Sequence, residues 1–268
     1  MRKLSLHHLT MLDAHPLQLA DAAHAGGFDY YGLRVVAPPG SGSVVDVAND
    51  QTLFRELRVR AESTGVWLLD IEAFWLHPDV CTDALRPALE VGHTLGAKHV
   101  LAVGNDPVRS RLVDAFSRLC EMAAQFNMTV GLEPITYCPV GTVSDALAVI
   151  RESGQSNARL LIDVLQYFRS GAEVQAIRDV PSGLVEYLQL CDGLHGGPAS
   201  AEGRQKEART ERLLPGDGEF PLHALLANMP PDLTLSVEAP SSVLRGLSYD
   251  EQARLLMKKA QPYIHGPS

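Results

Sequence analysis

Residues 128–164 read MTVGLEPITYCPVGTVSDALAVIRESGQSNARLLIDV, and this stretch decides the fold. A short apolar run over 128–132 is followed by a helical pattern over 144–152, which Gly154 stops, and by a second apolar run over 159–162. Neither run alternates polar and apolar residues, as expected of parallel strands that are buried on both faces. Because Glu133 and Asp163 follow the two runs, the stretch predicts a strand–helix–strand unit with a carboxylate at the end of each strand.

The same alternation continues in both directions along the chain. Strands are predicted at 4–9, 28–36, 66–71, 98–103, 128–132, 159–162, 184–190 and 233–237. Helices are predicted at 16–25, 50–63, 79–95, 107–126, 144–152, 173–178, 221–227 and 249–260. Eight strand–helix pairs in 268 residues predict an α/β protein, a (β/α)8 TIM barrel that forms a single domain over 1–268. Length alone also allows a Rossmann-like domain with a small appendage.

Two segments interrupt the alternation. Residues 37–47 are rich in Gly, Pro and Ser, and residues 192–219 form a long polar stretch. Both follow predicted strands, so in a barrel they would lie at the catalytic end. Long loops in compact domains often serve as lids or binding loops, and we expect that role here.

Composition excludes several functional classes. The net charge of −9 argues against non-specific binding of nucleic acid. The sequence has no apolar stretch long enough for a membrane span and no signal-peptide pattern at its start. Its four cysteines include no CxxC pair, which favours free thiols in a reducing compartment over disulfides or a zinc knuckle. We therefore expect a cytoplasmic protein whose partner is a small molecule, rather than nucleic acid or a membrane.

Four polar residues stand at the ends of the last four predicted strands. They are Glu133, Asp163, Gln189 and Glu238. Strand ends converge at one mouth of a barrel, so these side chains could meet there. Three carboxylates repel one another unless a cation joins them. Their oxygen-only chemistry suits Mg²⁺ or Mn²⁺, with Co²⁺ and Zn²⁺ as further candidates.

Each of these residues also has a structural interpretation. Asp163 alone would more often cap a helix than bind a metal. Gln189 alone would more often be a hydrogen-bonded core amide. Glutamate caps helices poorly, so this alternative is weaker for Glu133 and Glu238. The occurrence of all four on consecutive strands favours the metal site.

At this point the sequence resembles the xylose-isomerase-like TIM-barrel superfamily over essentially its whole length. The matching motifs are GLEP, LLIDVLQYFRSG, YLQLCDG, RLLPGDGEFPL and LSVEAP. The superfamily includes sugar epimerases, inosose-processing enzymes, 3-dehydroshikimate dehydratases and endonuclease IV, whose His-rich zinc site this chain lacks. Most members have a histidine as third ligand where Gln189 stands, although some dehydratases use Gln. Many also have a histidine where Gln166 stands, which leaves open what takes over its role.

The resemblance implies a metal-dependent isomerase or epimerase acting on a sugar or polyhydroxylated carbonyl compound by proton abstraction next to the carbonyl. Glu133 and Glu238 would both bind the metal and exchange protons on opposite faces of the substrate. The alternative is a lyase that dehydrates 3-dehydroshikimate or an inosose. A non-catalytic sugar-binding barrel is a third alternative, against which the intact ligand set argues. Members are often dimers or tetramers, which implies a homo-oligomer here as well.

Further polar residues, near predicted strand ends or in the long segment 192–219, are candidates for substrate binding. They are His8, Arg34, Glu72, Arg209 and Arg212, and an arginine fork suits a carboxylate or phosphate. Of the adjacent His7 and His8, one is expected to point into the mouth, and we favour His8. Phe74 and Trp75 are candidates for an apolar wall against a sugar ring or, alternatively, for the core.

Overall fold

The computed structural model describes residues 1–42 and 44–265 and forms a barrel of parallel strands surrounded by helices. Ser43, in the predicted loop over 37–47, and residues 266–268, at the end of the predicted domain, lie outside the described residues. The predicted TIM barrel is confirmed. No helix in the described part of the chain has the length and apolar character that crossing a membrane requires.

The strands follow one another around the barrel in chain order. They are β1 (Leu4–Leu6), β2 (Tyr30–Arg34), β3 (Trp67–Leu76), β4 (His99–Gly104), β5 (Thr129–Glu133), β6 (Ala158–Leu160), β7 (Ile162–Asp163), β8 (Tyr187–Leu190) and β9 (Thr234–Val237). Only Leu161 separates β6 from β7. The strand β6 pairs with β5, and β7 pairs with β8. Because β1 also pairs with β9, the two short strands β6 and β7 together complete the ring.

Helices cover the outside of this ring. They are α1 (Pro16–Gly26), α2 (Gln51–Thr64), α3 (Arg86–Thr94), α4 (Arg109–Ala124), α5 (Val143–Ser153), α6 (Val164–Arg169), α7 (Ala201–Thr210), α8 (Leu222–Leu226) and α9 (Tyr249–Ala260). The main apolar core lies between these helices and the strands, and a smaller apolar cluster that includes Leu101, Leu161 and Tyr187 lies apart from it.

Local sequence signals set several helix ends. The α5 helix begins with a capping box, in which the Thr142 hydroxyl accepts from the Asp145 amide and the Asp145 carboxylate accepts in return. The α1 helix ends at Gly27, whose φ of 80° few other residues adopt without strain. Both signals are readable in the sequence. The capping box fixes a βα loop at the mouth, whereas Gly27 leads into β2 at the opposite end of the barrel.

Several predicted elements need correction. The segment 192–219 is not a continuous loop, because α7 occupies its middle. Only Ala208 of this helix is buried, so it has no apolar periodicity that the sequence could display. The segment 173–178 is a 3-10 helix (Val174–Asp179). The α-helix predicted over 79–95 begins only at Arg86, with Pro87 in its first turn.

The strand bounds also differ from the prediction at two places that matter for the site. The first strand ends at Leu6, because the His7 ring accepts a hydrogen bond from the Leu9 amide and starts a 3-10 turn over His8–Met11. The third strand continues through Leu76, so Glu72 lies inside β3 instead of following it. All four cysteines are free thiols, as predicted.

Candidate metal centre

The four predicted ligands lie together at the C-terminal ends of the strands. Glu133 ends β5, Asp163 ends β7, and Glu238 directly follows β9. Gln189 lies in β8, in register with Asp163 on the neighbouring strand. All four side chains are buried. All four residues therefore lie at the rim of the barrel, as their positions near strand ends predict.

The three carboxylates are close enough to share one ion. One oxygen from each of Glu133, Asp163 and Glu238 lies within 4.8 Å of the other two. Burial, reinforced by the charge of Asp163, raises the pKa of Glu133 well above its usual range. The pKa of Glu238 is also raised, first by burial and then by the Asp163 and Glu133 charges, against the opposing effect of Arg212. A divalent cation would relieve this repulsion and is the ordinary partner of such a cluster.

Gln189 completes the set with an amide. Its Nε2 lies 3.1 Å from His7 Nε2, whereas its Oε1 is buried and has no hydrogen-bond partner among the described residues. Glu238 Oε2 is buried without a partner as well. Buried acceptors without donors cost free energy, and a cation would satisfy both. The residues present therefore fit a divalent metal ion.

Asp163 has the structural role that its position predicts and lies in the carboxylate cluster as well. One of its oxygens accepts a hydrogen bond from the Gln166 amide at 2.9 Å and caps α6. The other accepts from Arg212 at 2.5 Å. The capping and metal-binding interpretations are thus compatible in one side chain.

Arg212, predicted to bind substrate, lies inside the carboxylate cluster. Its Nη1 donates to Asp163, its Nη2 lies 3.4 Å from a Glu238 oxygen, and its Nε donates to the Ala208 carbonyl at 2.8 Å. Burial opposes its charge, but Asp163 and Glu238 raise the pKa of the guanidinium further above its usual value. Arg212 therefore stays cationic and holds two of the proposed ligands in place.

Glu72 and Arg34 form the opposite side of the mouth. Arg34 Nη2 donates to Glu72 Oε2 at 2.9 Å, and the two residues are in register on β2 and β3. Although burial opposes ionisation, the charges of His7 and Arg34 lower the pKa of Glu72. Binding of a metal would require Glu133 and Glu238 to lose their protons, and the rim would then hold four carboxylates and two guanidinium groups. Two negative charges would remain, the number that one divalent cation neutralises.

The mouth contains His7, not His8. His7 Nδ1 lies 3.3 Å from Glu72 and 3.6 Å from Glu238, and burial lowers the pKa of this ring to about 4. His8 accepts a hydrogen bond from the Arg34 amide at 2.8 Å and lines a neighbouring surface pocket. The expectation that His8 points into the mouth is therefore wrong. Strand alternation predicts His7 instead, because Ser5 and His7 lie on one face of the segment.

A cavity of about 270 Å³ opens above this cluster. Its polar lining includes the side chains of His7, Arg34, Glu72, Glu133, Gln166, Arg209, Arg212 and Glu238. Its apolar lining includes Trp75, Leu101, Val103, Ile135 and Tyr137. Trp75 therefore forms part of the wall, whereas Phe74 is a core residue. The cavity thus offers both groups that can bind oxygen atoms and apolar surface.

Two further predicted residues lie at this cavity in different settings. Arg209, at the end of α7, is exposed and lines the cavity without an ion-pair partner in the described part of the chain. Gln166 accepts hydrogen bonds from the Thr136 backbone amide and hydroxyl at 3.1 and 3.0 Å. This amide side chain is fixed and cannot exchange a proton as an imidazole would.

Comparison with solved structures finds the same fold in several proteins. The IolI protein with a bound zinc atom has a TM-score of 0.77 at 18% identity, over 98% of this chain and 97% of IolI. The probable 3-DHS dehydratase AsbF from Bacillus anthracis has a TM-score of 0.73 at 16% identity, over 97% and 98%. The 3-keto-D-glucoside 4-epimerase YcjR from E. coli has a TM-score of 0.71 at 14% identity, over 96% and 99%. At these identities the likeness shows the fold alone.

Length varies among the similar structures. A fusion of a xylose isomerase-like TIM barrel with 4-hydroxyphenylpyruvate dioxygenase matches 96% of this chain, which spans 42% of the fusion protein. No curated protein matches the sequence. At the level of family, the sequence profile of the xylose isomerase-like TIM barrel matches residues 19–259. The chain therefore belongs to the xylose isomerase-like TIM barrel family.

Proposed function

We propose that the protein is a divalent-metal-dependent isomerase or epimerase that acts on a sugar or polyhydroxylated carbonyl compound. The observation that carries this proposal is the pairing of Glu133 and Glu238. Both line the cavity, both belong to the cluster that fits a metal, and both have a raised pKa. A carboxylate of raised pKa is a stronger base than an ordinary one, as proton abstraction from carbon requires.

The proposed metal ligands are Glu133, Asp163, Gln189 and Glu238, with Mn²⁺ or Mg²⁺ preferred for the oxygen donors. When bound, such a cation supplies Lewis-acid chemistry and stabilises the negative charge that develops on a carbonyl oxygen beside the deprotonated carbon. Arg212 holds Asp163 and Glu238 in fixed positions through its hydrogen bond and ion pair. A preorganised ligand set of this kind loses little free energy to reorganisation during the reaction.

Glu133 and Glu238 are placed to exchange protons with the substrate. They belong to β5 and β9, which are not neighbours in the barrel, so the two carboxylates reach the cavity from different sides. One of them would take the proton from the carbon next to the carbonyl, and the other would return a proton from the other side, which inverts the configuration. General acid–base catalysis of this type contributes roughly 10²–10⁴-fold to the rate.

The remaining lining residues would bind the substrate. Arg34, Glu72 and His7 offer donors and acceptors to hydroxyl groups, and Trp75 and Tyr137 offer apolar surface to the face of a ring. A lining of both kinds suits a hydroxylated compound that has one weakly polar face.

A second candidate function is a lyase that removes water from a 3-dehydroshikimate-like or inosose-like substrate. Arg209 favours it, because a cationic side chain without an ion-pair partner at the cavity rim suits a substrate carboxylate. Gln189 also favours it, since the resemblance includes dehydratases that use Gln as third ligand. Gln166 argues against it, because departure of a hydroxyl group requires an acid and an amide cannot supply a proton.

The test follows the reaction by NMR in D2O. Metal-stripped protein would be reloaded with Mn²⁺ or Mg²⁺ and incubated with ketoses, inososes and 3-dehydroshikimate. We expect metal-dependent incorporation of deuterium next to a carbonyl, with an epimer or isomer as product, and Glu133→Gln and Glu238→Gln should abolish it while the fold is kept. An unsaturated product would select the lyase, and full activity in Glu133→Gln would refute the proposed role of this residue.

A further inference from the structure

The helix α7 covers the mouth although almost nothing apolar holds it there. Ala208 is its only buried residue, and the remaining side chains are polar or exposed. Short helices are marginal in water unless tertiary contacts hold them. The polar contacts of α7 must therefore explain its position.

The strongest of these contacts joins α7 to α6. Arg169, the last residue of α6, donates from Nε and Nη2 to the two carboxylate oxygens of Glu207, at 2.8 and 2.6 Å. Only 6% of the Arg169 side chain and 13% of the Glu207 side chain are exposed. A buried two-point pair of this kind is stronger and more directional than a surface ion pair.

Arg169 also fixes the chain that leads into α7. Its Nη1 donates to the Leu194 carbonyl at 2.8 Å, and its guanidinium lies 5.1 Å from the centre of the Phe220 ring. A Cβ atom at Gly197 would lie 2.3 Å from Arg169 Nε, so only glycine leaves room for the guanidinium at this position. The segment around Arg169 is thus built to enclose it.

These contacts form a closed chain of interactions between α6, α7 and the carboxylate cluster. Asp163 caps the start of α6, and Arg169 at the end of α6 binds Glu207 of α7. Ala208, the next residue of α7, accepts from Arg212, which donates back to Asp163. Displacement of α7 would therefore move Arg212, together with the cavity wall that Arg209 and Thr210 form.

We propose that Arg169 and Glu207 are positioning residues that fix α7 as a wall of the cavity and, through it, hold Arg212 between Asp163 and Glu238. The part that concerns turnover rests on the proposed function, whereas the placement of α7 does not. Neither residue touches the substrate in this account. Their effect on the reaction passes through the position of the wall and of the Arg212 guanidinium.

Hydrogen–deuterium exchange of α7 tests the placement directly, in metal-free protein without substrate. Arg169→Lys keeps the charge but loses the two-point geometry, and we expect amide exchange over 201–210 to accelerate about tenfold, with other helices unchanged. The matched control is Arg109→Lys, which breaks a two-point pair with Glu152 on an exposed surface and should leave α7 unaffected. The exchanged pair Arg169→Glu/Glu207→Arg should recover part of the protection that Arg169→Glu alone loses.

Turnover supplies the second readout once a substrate is known. With α7 loosened, we expect KM to rise about tenfold and kcat to fall less, because the cavity wall formed by Arg209 and Thr210 is displaced. Glu133, which forms no hydrogen bond or ion pair with Arg169, Glu207 or α7 in the described part of the chain, keeps its place. Unchanged exchange in α7 of both Arg169→Lys and Glu207→Gln would overturn the proposal. Faster exchange in a protein that shows no metal-dependent turnover would instead support the placement of α7 and count against the proposed function.

Discussion

The Arg212 guanidinium donates a hydrogen bond of 2.5 Å to the Asp163 carboxylate, in the midst of the proposed metal ligands. An internal cation therefore lies within a buried carboxylate cluster that fits a metal ion. Once Glu133 and Glu238 are ionised, two negative charges remain at the rim after both arginines are counted, so Arg212 reduces the charge of the cluster without abolishing the place for a metal. Several predictions about stability and metal binding depend on this relationship.

Removal of Arg212 should destabilise the metal-free protein more than the metal-loaded protein. Arg212→Met leaves Asp163 and Glu238 buried without their cation, which should lower the free energy of unfolding by about 3 kcal/mol or more. Mn²⁺ should restore a large part of this loss, because the ion replaces the missing charge. Denaturant unfolding with and without Mn²⁺ measures both values. An equal loss in the two conditions would mean that Arg212 and the metal do not share the cluster.

Gln189 should contribute to metal affinity and little to folding. Gln189→Leu keeps the volume of the side chain but removes the buried Oε1 atom that has no partner among the described residues. We expect the affinity for Mn²⁺ to fall about 10–100-fold, a range typical of damage to a metal site, while the free energy of unfolding of metal-free protein falls by only about 1 kcal/mol, the cost of losing the contact between Gln189 Nε2 and His7 Nε2. Gln189→His, which restores the ligand usual in the superfamily, is the companion variant and should bind metal. Unaltered affinity in Gln189→Leu would remove Gln189 from the ligand set.

Metal binding should release protons and weaken as the pH falls. Burial and neighbouring charges raise the pKa of Glu133 and Glu238, so these carboxyls hold protons at a pH where ordinary ones have lost them. In the metal-free protein these groups bind more protons folded than unfolded, so its stability should decrease as the pH rises through their titration. Calorimetry in two buffers of different ionisation enthalpy counts the protons released. Zero release at a pH just above the ordinary carboxyl range would contradict the raised pKa values.

Glu186 should produce the opposite pH dependence at the other end of the barrel. Burial opposes its ionisation, but hydrogen bonds with His99 and Thr129 and the charge of Arg159 lower its pKa to about 2. Its carboxylate therefore stabilises the folded state fully above about pH 4.5, and this stabilisation is lost as the pH falls from there towards 2.

Glu186→Gln should lower the free energy of unfolding at pH 7 by about 1–2 kcal/mol, after allowance for the partial exposure of the side chain. Unfolding curves of the variant and the wild type between pH 7 and pH 3 should converge towards the acidic end. Parallel curves over the whole range would show that the Glu186 network does not provide this stability.

Much of the site could be predicted from the sequence because strand ends in a parallel barrel converge. Glu133, Asp163 and Glu238 follow strand-like runs, so their meeting follows from the topology. The position of Arg212 could not be predicted, because it depends on α7, whose single buried residue leaves no periodic signal. The choice between His7 and His8 required the strand register, which a three-residue error in the end of the first strand obscured.

The measurement that tests the central claim most directly is the stoichiometry of metal binding to chelator-stripped protein by isothermal titration calorimetry. We expect one Mn²⁺ per chain in the wild type, with binding strongly weakened in Glu133→Gln and in Gln189→Leu. The absence of saturable binding of Mn²⁺, Mg²⁺, Co²⁺ and Zn²⁺ would mean that Arg212 is the only cation that compensates the charge of the carboxylate cluster. The proposed metal-dependent reaction would then be wrong.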